Sequence, residues 1–278
     1  MKELFDQVSY QCAKTTTQRY STSFSLGIRF LAADLRPHIY NIYGFVRFAD
    51  EIVDTFHGFD KAGLLEEFRQ ETWKAIERGI SLNPILNAFQ HTVNRYHIDH
   101  LWIETFLKSM EMDLYKDQYN SEELKEYILG SAEVVGLMCL HVFTRGDRVL
   151  FDALKSKAMD LGSAFQKVNF LRDLHADYEV QQRAYFPDID PTNLSDQEKA
   201  QIEADIEREM LSGYEGIKQL PKDSRFGVYL AFRYYFKLLK KIKKTQSERV
   251  MTERIRVSDS RKYAIFVTSL LRHQANLI

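Results

Sequence analysis

The chain has 278 residues, with 38 basic against 39 acidic side chains and a formal charge of -1, so no global field draws it to nucleic acid or to an anionic surface. Its two cysteines, Cys12 and Cys139, lie far apart without CxxC spacing, which fits a reducing, cytoplasmic setting better than a disulfide scaffold. Met1 to Thr17 carries Lys2, Glu3, Asp6 and Lys14, unlike a secretory signal, and no apolar run is expected to approach the ~18 residues of a spanning helix.

Gly and Pro are scarce and no segment alternates long enough for a sheet, so the expected fold is all-α, a single domain over 1–278. A first amphipathic helix is predicted over 3–16, stopping at the Ser/Thr-rich stretch TTTQRYSTSF. Ser21, Thr22 and Ser23 there either cap the next segment or contact an anion. Asp34 and Pro37 are predicted to open a helix that continues through YGFVRFADEIVD. Tyr43, Arg47, Asp50 and Asp54 then share a stripe about 60° wide.

Asp60 and Asn83 are predicted caps of two scaffold helices. In the next helix, 101–115, Asp113 sits among apolar spacings and reads as a surface or capping carboxylate. Ser121, with Glu122 and Glu123, opens a helix whose Gly130, Ser131, Ala132 and Gly136 leave one face bare, most simply for close helix packing.

The densest signal is QKVNFLRDLHAD. Gln166, Asn169, Asp173 and Asp177 fall within about 80° on a helix. Phe165, Val168 and Leu171 lie beside them, so the carboxylates belong to a packed element and need partners. Two aspartate pairs at i and i+4 on two helices repel when they face each other, and Mg²⁺ (or Mn²⁺) between them turns that repulsion into binding. Lacking such a partner, Asp173 and Asp177 are expected to leave stability unchanged or raised when either charge is removed.

Pro187 ends this helix, leaving Arg183 and Tyr185 just beyond the acidic stripe. Ser195 with Glu198 is a capping box for a charged, solvent-facing helix to about Gly213, and Pro221 opens a long helix. Residues 237–262 hold ten basic and three acidic side chains and read as a solvated face. A peripheral membrane contact is the sharper alternative. No HExxH, GxSxG, Gly-rich phosphate loop or basic-aromatic nucleic-acid pattern occurs.

YGFVRFADEIVD and QKVNFLRDLHADYEVQQRAYFP, with STSF, MEMDL and EVVGLM in the same order, resemble the two aspartate motifs and weaker blocks of the squalene and phytoene synthases. These are trans-isoprenyl diphosphate synthases that join prenyl chains head to head. The resemblance implies a helical bundle around a central cavity. It implies that Asp50, Asp54, Asn169, Asp173 and Asp177 hold Mg²⁺ against substrate diphosphates. Ser21, Ser23, Arg47, Gln166, Arg172, Arg183 and Tyr185 would contact diphosphate or line the site, with Phe24 and Tyr43 near the reacting chains. Glu51 and Glu133 depart from the family pattern, standing where Asp and Gly are usual.

The expected reaction condenses two geranylgeranyl diphosphates to phytoene without NADPH. The alternatives are a squalene or dehydrosqualene synthase using farnesyl diphosphate, and a non-catalytic helical assembly factor.

Overall fold

The computed structural model describes residues 1–275 apart from Gln182, Asp188 and Pro191. Among them there is no strand, only an isolated bridge between Gln118 and Ala184. α1 (Lys2–Tyr20) overruns its predicted end, because Thr17 is fully buried and bonds back to the Ala13 carbonyl at 2.9 Å. The break falls at Ser21 alone, whose hydroxyl accepts from the Phe24 N–H at 3.2 Å and caps α2 (Thr22–Arg29). α3 (Arg36–Asp54) starts without a side-chain cap; Asp34, its predicted cap, instead pairs with Arg145 at 2.5 Å.

α4 (Lys61–Arg78) and α5 (Pro84–Tyr96) begin at Asp60 and Asn83 as predicted, each side chain accepting backbone N–H bonds. α6 (His100–Tyr115) follows. α7 (Ser121–Ile128) is capped one residue earlier than predicted, by Asn120 in a capping box with Glu123. A π turn over Leu129–Glu133 then joins α7 to α8 (Val134–Phe143). The contiguous stretch Ser121–Phe143 is long and apolar enough to cross a membrane by length and composition, which corrects the sequence expectation. Half of its apolar window is buried inside the protein, as in a core helix.

α9 (Arg148–Gln181) is the longest helix and packs on α8, the π turn and α10 (Asp196–Gln219). The expectation that α10 faces solvent is overturned. Lys199 and Glu203 bury each other as an ion pair, each side chain 4 % exposed, beside buried Ile206 and Met210. A charged pair at i and i+4 can be hidden together, so charge alone does not mark a wet face. α11 (Lys222–Ile242) packs on α2 and α10; α12 (Ser247–Val250) and α13 (Asp259–Gln274) close the chain.

Two apolar cores result. One gathers α3 to α6 and α8 around Phe45, which stacks on Phe89 at 3.9 Å and touches Phe68 and Phe106. Burying each such ring contributes roughly 1.5–3 kcal/mol. The other gathers α9 to α11 and the C-terminal segment around Val168, Leu171, Tyr229 and Leu238. A cavity lies on the seam between them, since Ile39, Leu140 and Leu154 line it from the first core and Phe165, Ile217 and Tyr235 from the second.

Candidate active site

The cavity encloses about 310 Å³ and is walled almost entirely by apolar side chains from α2, α3, α8, α9, α10 and α11. Its lining on α9 runs from Leu154 through Leu161 and Phe165 to Gln166 and Asn169, about 22 Å at 1.5 Å per residue. α3 runs the same way, from Ile39 through Tyr43 toward Arg47 and Asp50. Both helices therefore lead from an apolar end to an acidic one. Helical periodicity put the two stripes on their helices, and helix packing brings them to one end of the cavity.

Aromatic rings crowd that end. Phe24 lies 6.1 Å from Tyr43, 6.1 Å from Phe165 and 5.6 Å from Tyr235, and Phe165 stacks on Tyr235 at 4.1 Å. The Tyr235 hydroxyl donates to the Asn169 side chain at 3.3 Å. Burial pushes the Tyr43 hydroxyl up to about 12, so it stays protonated, within reach of Ser21. Ser21 and Ser23 thus flank Phe24 in the first turn of α2; Ser21 caps that helix, and its hydroxyl also faces Tyr43.

Each aspartate pair lies beside arginines. Arg47 grips Asp50 at 2.6 Å, pairs with Glu51 and stacks over Tyr20 at 4.3 Å, so Glu51 is a partner of Arg47. Arg183 holds Asp54 at 2.7 Å, lies 3.7 Å from Asp113 and donates to the Asp113 carbonyl at 2.9 Å. Arg172 pairs with Asp173, and Arg254 adds a second contact at 2.6 Å. The expectation of uncompensated charges is therefore corrected for Asp173. Arg254 also draws one member of the basic 237–262 segment, read as a solvated face, onto the acidic stripe.

Asp177 differs: burial, then the charges of Asp173 and Asp54, push its carboxyl up to about 7. Burial and then Asp54 do the same to Asp50, whose side chain is one-third open to solvent. Asp54 is thus felt by Asp50 on its own helix and by Asp177 across the gap, as two facing stripes require. Among the described residues no three acidic, His or Cys side chains are gathered closely enough to hold a metal ion. The hard oxygen donors suit Mg²⁺, and the arginines now bound to them suit diphosphate.

Asp113 overturns its reading as a surface carboxylate. It is 8 % exposed and accepts from Tyr119 at 3.0 Å and Tyr127 at 2.8 Å. Burial pushes it up to about 6, against the pull of Arg183. Its signal was present in the sequence as an acid on the apolar face of α6. Tyr185 stacks on Phe170 at 4.1 Å and on Tyr119 at 5.4 Å. Its hydroxyl lies 3.4 Å from Arg183, so it braces that arginine from within the core and does not line the cavity. Glu133 lies in the π turn, where burial and then Glu209 raise its carboxyl to about 7.

A family model for squalene/phytoene synthases matches residues 17–261. Similar curated proteins include a phytoene synthase of Arthrospira platensis, 26% identical over 95% of this chain and 93% of its own. A 15-cis-phytoene synthase of Synechococcus elongatus is 27% identical over 95% and 93%. Among solved structures, a dehydrosqualene synthase in complex with ligand superposes with a TM-score of 0.84 at 20% identity, covering 97% of this chain and 98% of that one. A squalene synthase of Alicyclobacillus acidocaldarius gives 0.73 at 20% identity, over 86% and 94%. These two structures share the fold.

Proposed function

Because the chain belongs to the squalene/phytoene synthase family, whose members are prenyltransferases of isoprenoid biosynthesis, we propose that it condenses two geranylgeranyl diphosphates head to head into phytoene, a step of carotenoid biosynthesis. Diphosphate is released and a cyclopropylcarbinyl diphosphate is the intermediate. The observation that carries the choice of substrate is the cavity wall along α9, about 22 Å from Asn169 to Leu154. That length suits an extended four-isoprene chain, whereas a three-isoprene chain would leave the far end unfilled at a cost of roughly 0.8 kcal/mol per CH₂. The names of the curated relatives point the same way.

In this reading Asp50, Asp54, Asn169, Asp173 and Asp177 would hold Mg²⁺, which when bound would supply Lewis-acid neutralisation of a leaving diphosphate. Arg47, Arg172 and Arg183 exchange a carboxylate for a diphosphate oxygen when substrate enters. Gln166, Ser21 and Ser23 orient the headgroup. The ring faces of Phe24, Tyr43, Phe165 and Tyr235 stabilise the allylic cation, and the apolar wall keeps water from it. Burial keeps the Tyr43 hydroxyl protonated before substrate enters, so it can donate a hydrogen bond there.

The test is incubation of the purified protein with geranylgeranyl or farnesyl diphosphate and Mg²⁺, with and without NADPH. Phytoene is expected from the longer substrate, unchanged by NADPH. In EDTA turnover should cease, and return with Mg²⁺, while the thermal transition persists. Squalene that forms only with NADPH would overturn the substrate and product, and full turnover in chelator would sink the metal reading.

A further inference from the structure

A second cavity, of about 320 Å³, opens between α1, the end of α2 and the start of α3. It shares no lining residue with the central cavity. Tyr10, Lys14 and Gln18 line it from α1, at i, i+4 and i+8 on one helix face; Arg29, Arg36 and Tyr40 complete it.

Three cations converge here, and none is in an ion pair among the described residues. By contrast Arg47, Arg172, Arg183 and Arg254, beside the aspartate stripes, are all matched by carboxylates. Helix electrostatics explain only part of it. Arg29 lies in the last turn of α2, where the dipole favours a cation, but Arg36 opens α3, where the dipole disfavours one. Arg36 is pinned by a 2.8 Å bond from Nε to the Leu31 carbonyl, which leaves its terminal amines for another acceptor.

The polar groups are also ordered before any ligand arrives. Tyr40 is 2 % exposed, and Gln18 and Arg29 share the cavity lining with it. The Tyr10 ring lies 6.2 Å from Tyr40, and Lys14 sits over it at 5.9 Å. A fixed phenol, an amide and three cations around a concavity, with no carboxylate paired to them, match a compact multivalent oxyanion.

We infer that this cavity binds a phosphate-bearing anion, either free phosphate or diphosphate or the phosphate of a lipid headgroup. The inference stands apart from the proposed reaction. The test titrates the full chain in EDTA with inorganic diphosphate and then inorganic phosphate by calorimetry, and sediments it with phosphatidylcholine vesicles containing phosphatidylglycerol. Saturable binding of at least one probe is expected. The double variant Lys14→Gln/Arg29→Gln should weaken it on the order of tenfold or more, by loss of two charge-assisted bonds, with the ligand-free melting temperature unchanged.

Arg47→Gln, at the other site, should leave it intact. Should the double variant melt early, Arg29→Gln alone, on an exposed side chain, carries the same expectation at smaller size. Binding of the soluble anions alone identifies a metabolite source, and binding of vesicles alone a lipid one. No saturable binding of any probe, or binding equal in wild type and double variant, would overturn the inference.

Discussion

Asp173 and Asp177, one helical turn apart, are set in opposite electrostatic surroundings. Asp173 accepts from Arg172 and Arg254, while Asp177 is raised toward neutrality by burial and by Asp173 and Asp54. Removing the charge should therefore act in opposite directions on stability. A carboxyl whose folded value lies above its ordinary one stabilises below the ordinary value, and that contribution is lost as pH rises through about 7. At pH 8 Asp177→Asn should melt at or above wild type, whereas Asp173→Asn should lose on the order of 1 kcal/mol with its ion pairs. Both should abolish turnover. Calorimetry at pH 8 beside a product assay checks this, and a lower melting temperature for Asp177→Asn would show it to be a structural partner. The two stripes could be read from the sequence because they repeat with the helix. Arg254 could not, since it reaches Asp173 across 81 residues through a tertiary contact.

Helix starts followed local chemistry in part: Asp60, Asn83 and Ser195 each cap where the sequence placed them, whereas Asp34 pairs with Arg145 and Asn120 caps in place of Ser121. Helix faces followed it less well, because the buried Lys199–Glu203 pair hides charge inside the α9–α10 contact. Close approach was legible in part, through the small residues before Gly136, where an added Cβ at Gly136 would meet the Ala158 carbonyl at 3.0 Å. Gly130, in that same run, is tighter still, since a Cβ there would stand 2.5 Å from the Thr105 carbonyl; a further crossing lies elsewhere. A Cβ on Gly227 would stand 2.6 Å from the Gly27 carbonyl, across the α2–α11 contact, and 2.6 Å from Leu31 just past the end of α2. Gly227→Ala must push α2 outward and should cost about 1–3 kcal/mol. A urea midpoint equal to wild type would show that α2 shifts freely.

At the scale of the whole molecule, one source of acid sensitivity lies away from the aspartate stripes. His38 is 6 % exposed, bonded to Thr92 at 3.0 Å and packed against the His91 and Tyr96 rings. Burial first, then His91 and Arg95, push its imidazole down to about 4 from an ordinary 6.5. The folded chain thus binds fewer protons than the unfolded one between those values, so stability falls as pH drops through that window. The loss at the bottom of it is on the order of 3 kcal/mol. Between pH 7.5 and pH 5 the raised carboxyls of Asp50, Asp113, Glu133 and Asp177 add stability to wild type and variant alike, so the check is the difference. Urea unfolding should show His38→Gln gaining on wild type as pH falls, and a difference independent of pH would remove His38 from the account. No such histidine could be singled out from sequence, because its shift depends on what α5 packs against it.

The π turn at Leu129–Glu133 has a geometric corollary. One surplus residue there winds the helix out of phase by about 100° relative to an uninterrupted α-helix. Tyr127 before the turn points at Asp113, and Gly136 after it abuts α9. The turn works as a phase adjuster that lets one helix keep two appointments its own screw would not permit. Length, more than identity, is therefore what this stretch contributes to the acidic site: excising a single residue would swing the Tyr127 hydroxyl away from Asp113 while every side chain in the site stayed the same.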